Sequence, residues 1–267
     1  MNILITNDDG YSSKGIHILA EILKPYGNIA VIAPMTAQSG MSMAVSLWAG
    51  RIVFKELSSE NVSDGKGGFR NERWAYLDAT PASCVKFALS TPWLGWIPDV
   101  VVSGINHGAN TSTASCYSGT LGAAAEAAVN HLLGIGVSLC SESPDGDFSS
   151  VIERFPRIFE KLVEIPRTNY MTYYNVNFPD VPSSEVKGIK TGYMGRGRWI
   201  REFKLLEADK NGTGESIYRM SGDFVSENCN DCEADHLITG NNYISLVPHT
   251  IDSTDYNQLK QLESVVF

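Results

Sequence analysis

No stretch of the 267 residues approaches the eighteen or so apolar positions that a membrane-spanning helix needs. Residues Met1 to Asp9 contain no basic leader and only a four-residue run, Ile3 to Thr6, ahead of two acids. Neither a signal peptide nor a lipidation site is expected there. Positive charge is scarce: 21 Lys and Arg stand against 30 Asp and Glu, for a net charge of -9. That balance opposes a nucleic-acid footprint or binding to an anionic membrane, so any phosphate must be held by a few local groups. The five cysteines, Cys84, Cys116, Cys140, Cys229 and Cys232, are odd in number and mostly set among apolar residues. They fit reduced thiols in a cytoplasmic protein better than a disulfide framework. Cys229 and Cys232 have CxxC spacing but no second such pair, and read as an incidental loop pair rather than a zinc or redox motif. No GxGxxG follows the first apolar run, which argues against a dinucleotide-dependent oxidoreductase.

What the sequence does contain is regular alternation. Apolar runs at Asn2–Thr6, Asn28–Ala33, Asp99–Ser103 and Gly136–Cys140 read as strands buried on both faces. Between them Ile16, Leu19, Ala20 and Leu23 recur on one helical face. Thr80-Pro81 opens a second helix through Val85, Ala88 and Leu89, and an Ala-rich third spans Thr120 to Leu133. The pattern predicts an α/β fold: a Rossmann-like, doubly wound, mostly parallel sheet with right-handed crossovers.

Beyond about residue 185 the texture shifts to Gly-, Tyr- and Arg-rich segments with short β runs at 192–199, 216–220 and 243–247. The division expected is a catalytic core over 1–185 and a C-terminal extension over 186–267, made of β-hairpins and a terminal helix and used for oligomerisation. Leu259, Leu262 and Val266 space along one face of that helix, Thr254 to Val266, as for docking. Ser58 to Gly68, rich in Ser, Gly and Asp, reads as a flexible surface loop.

Ligands of an open α/β sheet bind beyond the carboxyl ends of its strands, so the residues just past each strand carry the functional expectation. Asn7-Asp8-Asp9-Gly10 lies past the first and offers two carboxylates of the hard-oxygen type that magnesium, manganese or calcium accepts. The second leads to Ser39-Gly40, and the third to Ser103-Gly104-Ile105-Asn106-His107-Gly108-Ala109-Asn110, with carboxamides suited to a metal or a phosphate. Tyr117-Ser118-Gly119-Thr120 then enters the Ala-rich helix, where unpaired N–H groups, hydroxyls and the positive dipole end form an anion site. His107 reads as an exposed loop histidine rather than a general acid. Tyr193, Arg196, Arg198, Trp199 and Arg201 suit either hairpin packing or contact with a base or neighbouring subunit.

These segments, in this order, resemble the stationary-phase survival protein E (SurE) nucleotidases. The likeness continues through Thr80-Pro81, Asn175 and Asn177 before Pro179, Gly240 with Tyr243 to Ser245, and Thr254 to Tyr256, and so covers nearly the whole chain. It implies a metal-dependent phosphatase acting on nucleoside 5′- and 3′-monophosphates, with short polyphosphate a substrate of some members. It also implies one divalent ion, Mg2+ or Mn2+, per subunit and a homodimer or homotetramer that exchanges C-terminal elements. By position, Asp8, Asp9, Ser39 and Asn106 correspond to metal ligands, Ser118, Gly119 and Thr120 to phosphate contacts, and Asn110 lines the same pocket. For hydrolysis by a metal-activated water, Asp8 or Asp9 is the expected general base. Asp78 to Ser83 and Leu246 to His249 depart from the family pattern, away from those ligands.

Two rivals frame the expectation. A covalent aspartyl-phosphate enzyme of the haloacid-dehalogenase kind spaces two aspartates by one residue, whereas Asp8 and Asp9 are adjacent. A non-catalytic nucleotide-sensing module would bind phosphate at residues 117–120 without turnover.

Overall fold

The computed structural model describes all residues but 48–49, 64–68, 144, 168, 170, 209–212, 228–232 and 266–267. The Cys229/Cys232 pair, Val266 and the tip of the expected 58–68 loop lie outside the described residues.

Among the described residues, nine strands form the central sheet. Six are parallel and adjacent, in the order β4 (Phe69–Leu77), β2 (Asn28–Pro34), β1 (Asn2–Thr6), β5 (Val100–His107), β6 (Leu133–Leu139) and β7 (Thr172–Phe178). The antiparallel strand β3 (Phe54–Ser63) closes one edge, while β13 (Ile244–Thr250), antiparallel to β7, and β8 (Ile189–Thr191) extend the other. The stretch after residue 186 thus adds two strands to the sheet.

Both faces are covered, which is why the inner strands read as unbroken apolar runs. Ile3 and Ile5 point to one face, packed with Ile16 and Leu19 of α1 (Lys14–Leu23) and with Phe155 and Phe159 of α4 (Ser149–Glu164). Leu4 and Val101 point to the other, against Val85 of α2 (Pro81–Ser90) and Ala123 and Ala127 of α3 (Gly119–Val129). β1 lies between β2 and β5, so the chain departs in opposite directions at its carboxyl end, and a crevice opens there.

Boundaries differ from the sequence expectation: β5 runs to His107 instead of Ser103, so Asn106 and His107 lie in the strand and not in a loop past it, and β6 begins at Leu133 instead of Gly136. The Ala-rich helix ends at Val129 instead of Leu133: the Asn130 side chain donates to the Glu126 carbonyl at 2.8 Å, and His131 takes a left-handed φ of 63°. The chain turns there, and Leu133 opens β6. Residues 58–63 are strand, not loop, since β3 pairs with β4 through Glu60 opposite Glu72 and Asn61 opposite Asn71. An edge strand facing solvent can be polar and still hydrogen-bond along its length, which hid it from a reading by composition. The terminal helix α6 (Tyr256–Leu262) is capped by Asp255, and its Leu259 and Leu262 are exposed instead of docked on this chain.

In the C-terminal extension, β9 (Gly197–Ile200) pairs with β12 (Asp223–Ser226), and β10 (Phe203–Glu207) with β11 (Ile217–Met220). Short α5 (Asp235–Gly240) leads into β13. Trp199 packs edge-on against Phe224 and Arg201 pairs with Asp223 at 2.6 Å, so these two residues serve hairpin packing.

Candidate active site

The crevice is built first by Asn7, which is buried. Its carboxamide accepts from Gly10 N–H at 3.1 Å and donates to the Gly10 carbonyl at 3.0 Å and to Ser13 Oγ at 2.8 Å. This folds residues 7–10 into a tight turn, with Gly10 at a φ of 95°, and presents Asp8 and Asp9 at the end of β1.

Asp8 is only 5% exposed. Its Oδ1 accepts a short hydrogen bond from the Thr120 hydroxyl. A Cβ at Gly119 would stand 2.9 Å from Asp8 Cβ and 3.0 Å from Oδ2, so the carboxylate lies directly against the start of α3. Burial, opposed in part by the Thr120 hydrogen bond and reinforced by the Asp9 charge, lifts the Asp8 carboxyl from 3.8 to about 6. Asp9 is more open, and its Oδ2 accepts from the His107 N–H at 3.2 Å while lying 3.5 Å from His107 Nδ1; His107 ends β5 with its ring partly buried against Phe148, and is not the exposed loop histidine expected from sequence.

The opposite wall comes from β5. Its pairing with β6 skips between Ser103 and Asn106, and the bulge brings Gly104 so close to β6 that a Cβ would sit 2.3 Å from the Val137 carbonyl oxygen. Such a bulge re-aims the next side chains along the strand. Here the re-aimed residue is Asn106, whose Nδ2 donates to the Gly108 carbonyl at 2.8 Å, leaving the carboxamide oxygen for another partner.

The third wall is the entry to α3. Ser118 is its N-cap, with Oγ accepting from Leu121 N–H at 3.1 Å, and Gly119 and Thr120 form its first turn. Thr120 is turned to Asp8 through its hydroxyl and its backbone N–H, which leaves the Gly119 N–H at the first turn for an anion.

Ser39 is exposed, on a loop fastened at several points. Gln38 N–H donates to the Asp8 carbonyl at 2.7 Å, and Ser42 N–H to the Tyr117 carbonyl at 2.9 Å. The Ser42 hydroxyl holds the Cys116 carbonyl at 2.9 Å. Thr80, the cap of α2, donates to the Ala44 carbonyl at 2.6 Å. These ties bring the loop beside Asp8, although among the described residues no hydrogen bond joins Ser39 to the aspartates.

Asn110 sits deeper. Its backbone N–H donates to Asn177 Oδ1 at 2.9 Å, its carbonyl accepts from Asn175 Nδ2 at 2.8 Å, and its own Nδ2 donates to Ser138 Oγ at 2.9 Å. Sequence reading did not single out Ser138, and it read Asn7 only as part of the turn that carries the aspartates. The only available signals were polar residues inside otherwise apolar strands or beside a turn.

The family described as Survival protein SurE matches residues 3–201. The chain belongs to that family. A protein named 5′-nucleotidase SurE from Cytophaga hutchinsonii is 35% identical over 260 residues, 97% of this chain and 95% of its own length. Another of that name from Carboxydothermus hydrogenoformans is 35% identical over 273 residues, covering 100% of this chain and 96% of its own. The crystal structure of SurE protein from Aquifex aeolicus superposes with a TM-score of 0.80 at 26% identity, covering 98% of each chain. The SurE match bears out the resemblance read from the motifs, and the superposition bears out the α/β fold with C-terminal hairpins.

Proposed function

We propose that the protein is a metal-dependent phosphatase that hydrolyses nucleoside 5′-monophosphates. It would also act on 3′-monophosphates and short polyphosphate, and work in the cytoplasm. The relatives' shared name supports the nucleotidase reading. The observation that carries it is the placement of the buried Asp8 carboxylate against the first turn of α3, with Asp9 and Asn106 alongside. Metal-type oxygen donors and an anion-binding helix start thus share one crevice. Lone carboxylate burial at this site is unfavourable, as the raised Asp8 pKa shows, and a cation would relieve it.

The donor set fits one divalent ion, Mg2+ or Mn2+, per subunit. Asp8, Asp9, Asn106 and, from its fastened loop, Ser39 would hold it, all with hard oxygens. Such an ion supplies charge neutralisation for the phosphoryl group and a lowered pKa for water. The chain does the rest. The backbone N–H of Gly119 and the Ser118 hydroxyl receive phosphate oxygens at the positive end of α3, with Thr120 beside them on Asp8, and Asn110 borders that pocket. Thr120 fixes the Asp8 rotamer through its hydroxyl, and Asp8 or Asp9 takes the proton of the attacking water.

Association into a homodimer or homotetramer is part of this reading. β10 and β11 place Phe203, Leu205, Tyr218 and Met220 on one face, with Phe203 68% and Met220 70% exposed. A two-stranded sheet is not stable with such a face in water, and a second copy would cover it. Phosphate release from a panel of nucleoside monophosphates, with Mg2+, with Mn2+ and with EDTA, tests the activity. Binding without release under every metal would favour the sensing module.

A further inference from the structure

Asp235, the first residue of α5, is completely buried, and its carboxylate takes no part in the crevice just described. Backbone N–H groups from three segments converge on it. Ser112 N–H reaches both oxygens at 2.9 Å, Gly195 N–H reaches Oδ1 at 3.0 Å, and His236 N–H reaches Oδ1 at 2.8 Å. The His236 ring adds Nδ1 at 3.5 Å. The cradle has no spare room, since a Cβ on Gly195 would fall 2.2 Å from His236 Nδ1 and 3.0 Å from Asp235 Oδ1.

The Ser112 end of this clasp matters most. Ser112 has a left-handed φ of 53°, which a residue with a side chain adopts at a cost and holds only when its surroundings fix it. Its Oγ also donates to the Gly195 carbonyl at 2.9 Å, and Thr113 Oγ1 to the Gly197 carbonyl at 2.9 Å. From there a relay runs forward. Ser115 Oγ donates to the Ser112 carbonyl at 2.7 Å, Ser118 N–H to the Ser115 carbonyl at 3.4 Å, and Ser118 Oγ caps α3. Asn110 is anchored upstream by Asn175 and Asn177, and Ser42 ties Cys116 and Tyr117 near the end, so Asp235 supplies the hold at the start of the chain that delivers Ser118.

We propose that Asp235 is a positioning residue for the phosphate turn: by clasping Ser112 it sets the course of residues 112–118, and with it the aim of Ser118, Gly119 and Thr120. The C-terminal extension would thereby complete the anion site from outside the crevice. This rests on reading 118–120 as the phosphate turn.

Titration calorimetry with inorganic phosphate in the presence of Mg2+, on wild type, Asp235→Asn and Ser115→Ala, tests the proposal together with steady-state kinetics on AMP. Asp235→Asn keeps the shape but turns an N–H donor toward N–H donors. It should weaken phosphate binding and raise KM by about tenfold, with kcat largely kept, as supporting residues commonly do. Ser115→Ala breaks the relay without touching the clasp and should shift Kd and KM in the same direction by less. A merely structural role would instead lower the amount of folded enzyme and leave both constants in place. Unchanged Kd and KM in folded Asp235→Asn overturn the proposal, and if that variant does not fold, Ser115→Ala decides alone. A wild type that binds no phosphate also overturns it. A wild type that binds phosphate but releases none from AMP sinks the phosphatase reading only, and the comparison of Kd values still decides the role of Asp235.

Discussion

At Asp8 function and stability pull against each other. Its folded pKa of about 6 lies above the unfolded value of 3.8, so the metal-free fold is favoured by protonation. That contribution is complete below pH 3.8 and is lost as the pH rises to about 6. Above that the buried charge costs on the order of 3 kcal/mol when 3.8 and about 6 are converted at 1.36 kcal/mol per pH unit. Asp8→Asn keeps an acceptor for the Thr120 hydroxyl and removes the charge. Melting in EDTA from pH 4 to 8 should show the variant gaining on wild type as the pH rises and levelling off near neutrality, while its phosphatase activity is lost. A parallel pair of melting curves would mean that Asp8 is not strained by burial. Gly119→Ala tests the same contact from the other side. A methyl 2.9 Å from Asp8 Cβ must displace the carboxylate, and activity should fall by about a hundredfold with the fold intact by circular dichroism. The adjacent aspartates were legible in sequence because a carboxylate pair after an apolar strand is conspicuous. Asp235 was not, since the backbone groups it takes up, from Ser112 and Gly195, are brought to it by the fold.

The elements around the crevice are joined by caps and close approaches more than by long side chains. Thr80 illustrates this: it caps α2 and also holds the Ala44 carbonyl, so one hydroxyl fixes a helix start and the Ser39 loop. Thr80→Ala should cost about 1 to 2 kcal/mol in urea unfolding and raise the metal concentration needed for activity, because the loop loses a tether. A variant that loses stability with unchanged metal dependence would detach the loop from the site. Strands buried on both faces announced themselves as apolar runs, and β1 and β2 lie where those runs predict. α4 went unread, although Val151, Phe155, Ile158 and Leu162 recur at helical spacing, because Pro156 and a dense charged face interrupt the pattern. The β3–β4 hairpin was missed for the opposite reason, as its edge strand carries polar residues where alternation is expected.

For the whole molecule, the sheet is shared between the early βαβ units and the late strands β8 and β13, so the extension is tied to the core by hydrogen bonds as well as by the Asp235 clasp. The exposed apolar face on β10 and β11 is the feature that a single chain leaves unexplained. Phe203→Asp with Met220→Asp should convert an oligomer to monomer in light scattering, with the thermal stability of the core retained. An unchanged mass would move the interface elsewhere. Texture and resemblance suggested that the chain associates, while the candidate face is read only from the register that pairs Phe203 with Met220 and Leu205 with Tyr218.

The most direct test of the account is phosphate release from AMP by wild type with Mg2+ or Mn2+ and with EDTA, beside Asp8→Asn and Asp9→Asn. The crevice at the end of β1 predicts release that requires a divalent ion, vanishes in EDTA and is lost in either variant. Release that persists in EDTA, or in a folded Asp8→Asn protein, would place the chemistry somewhere else.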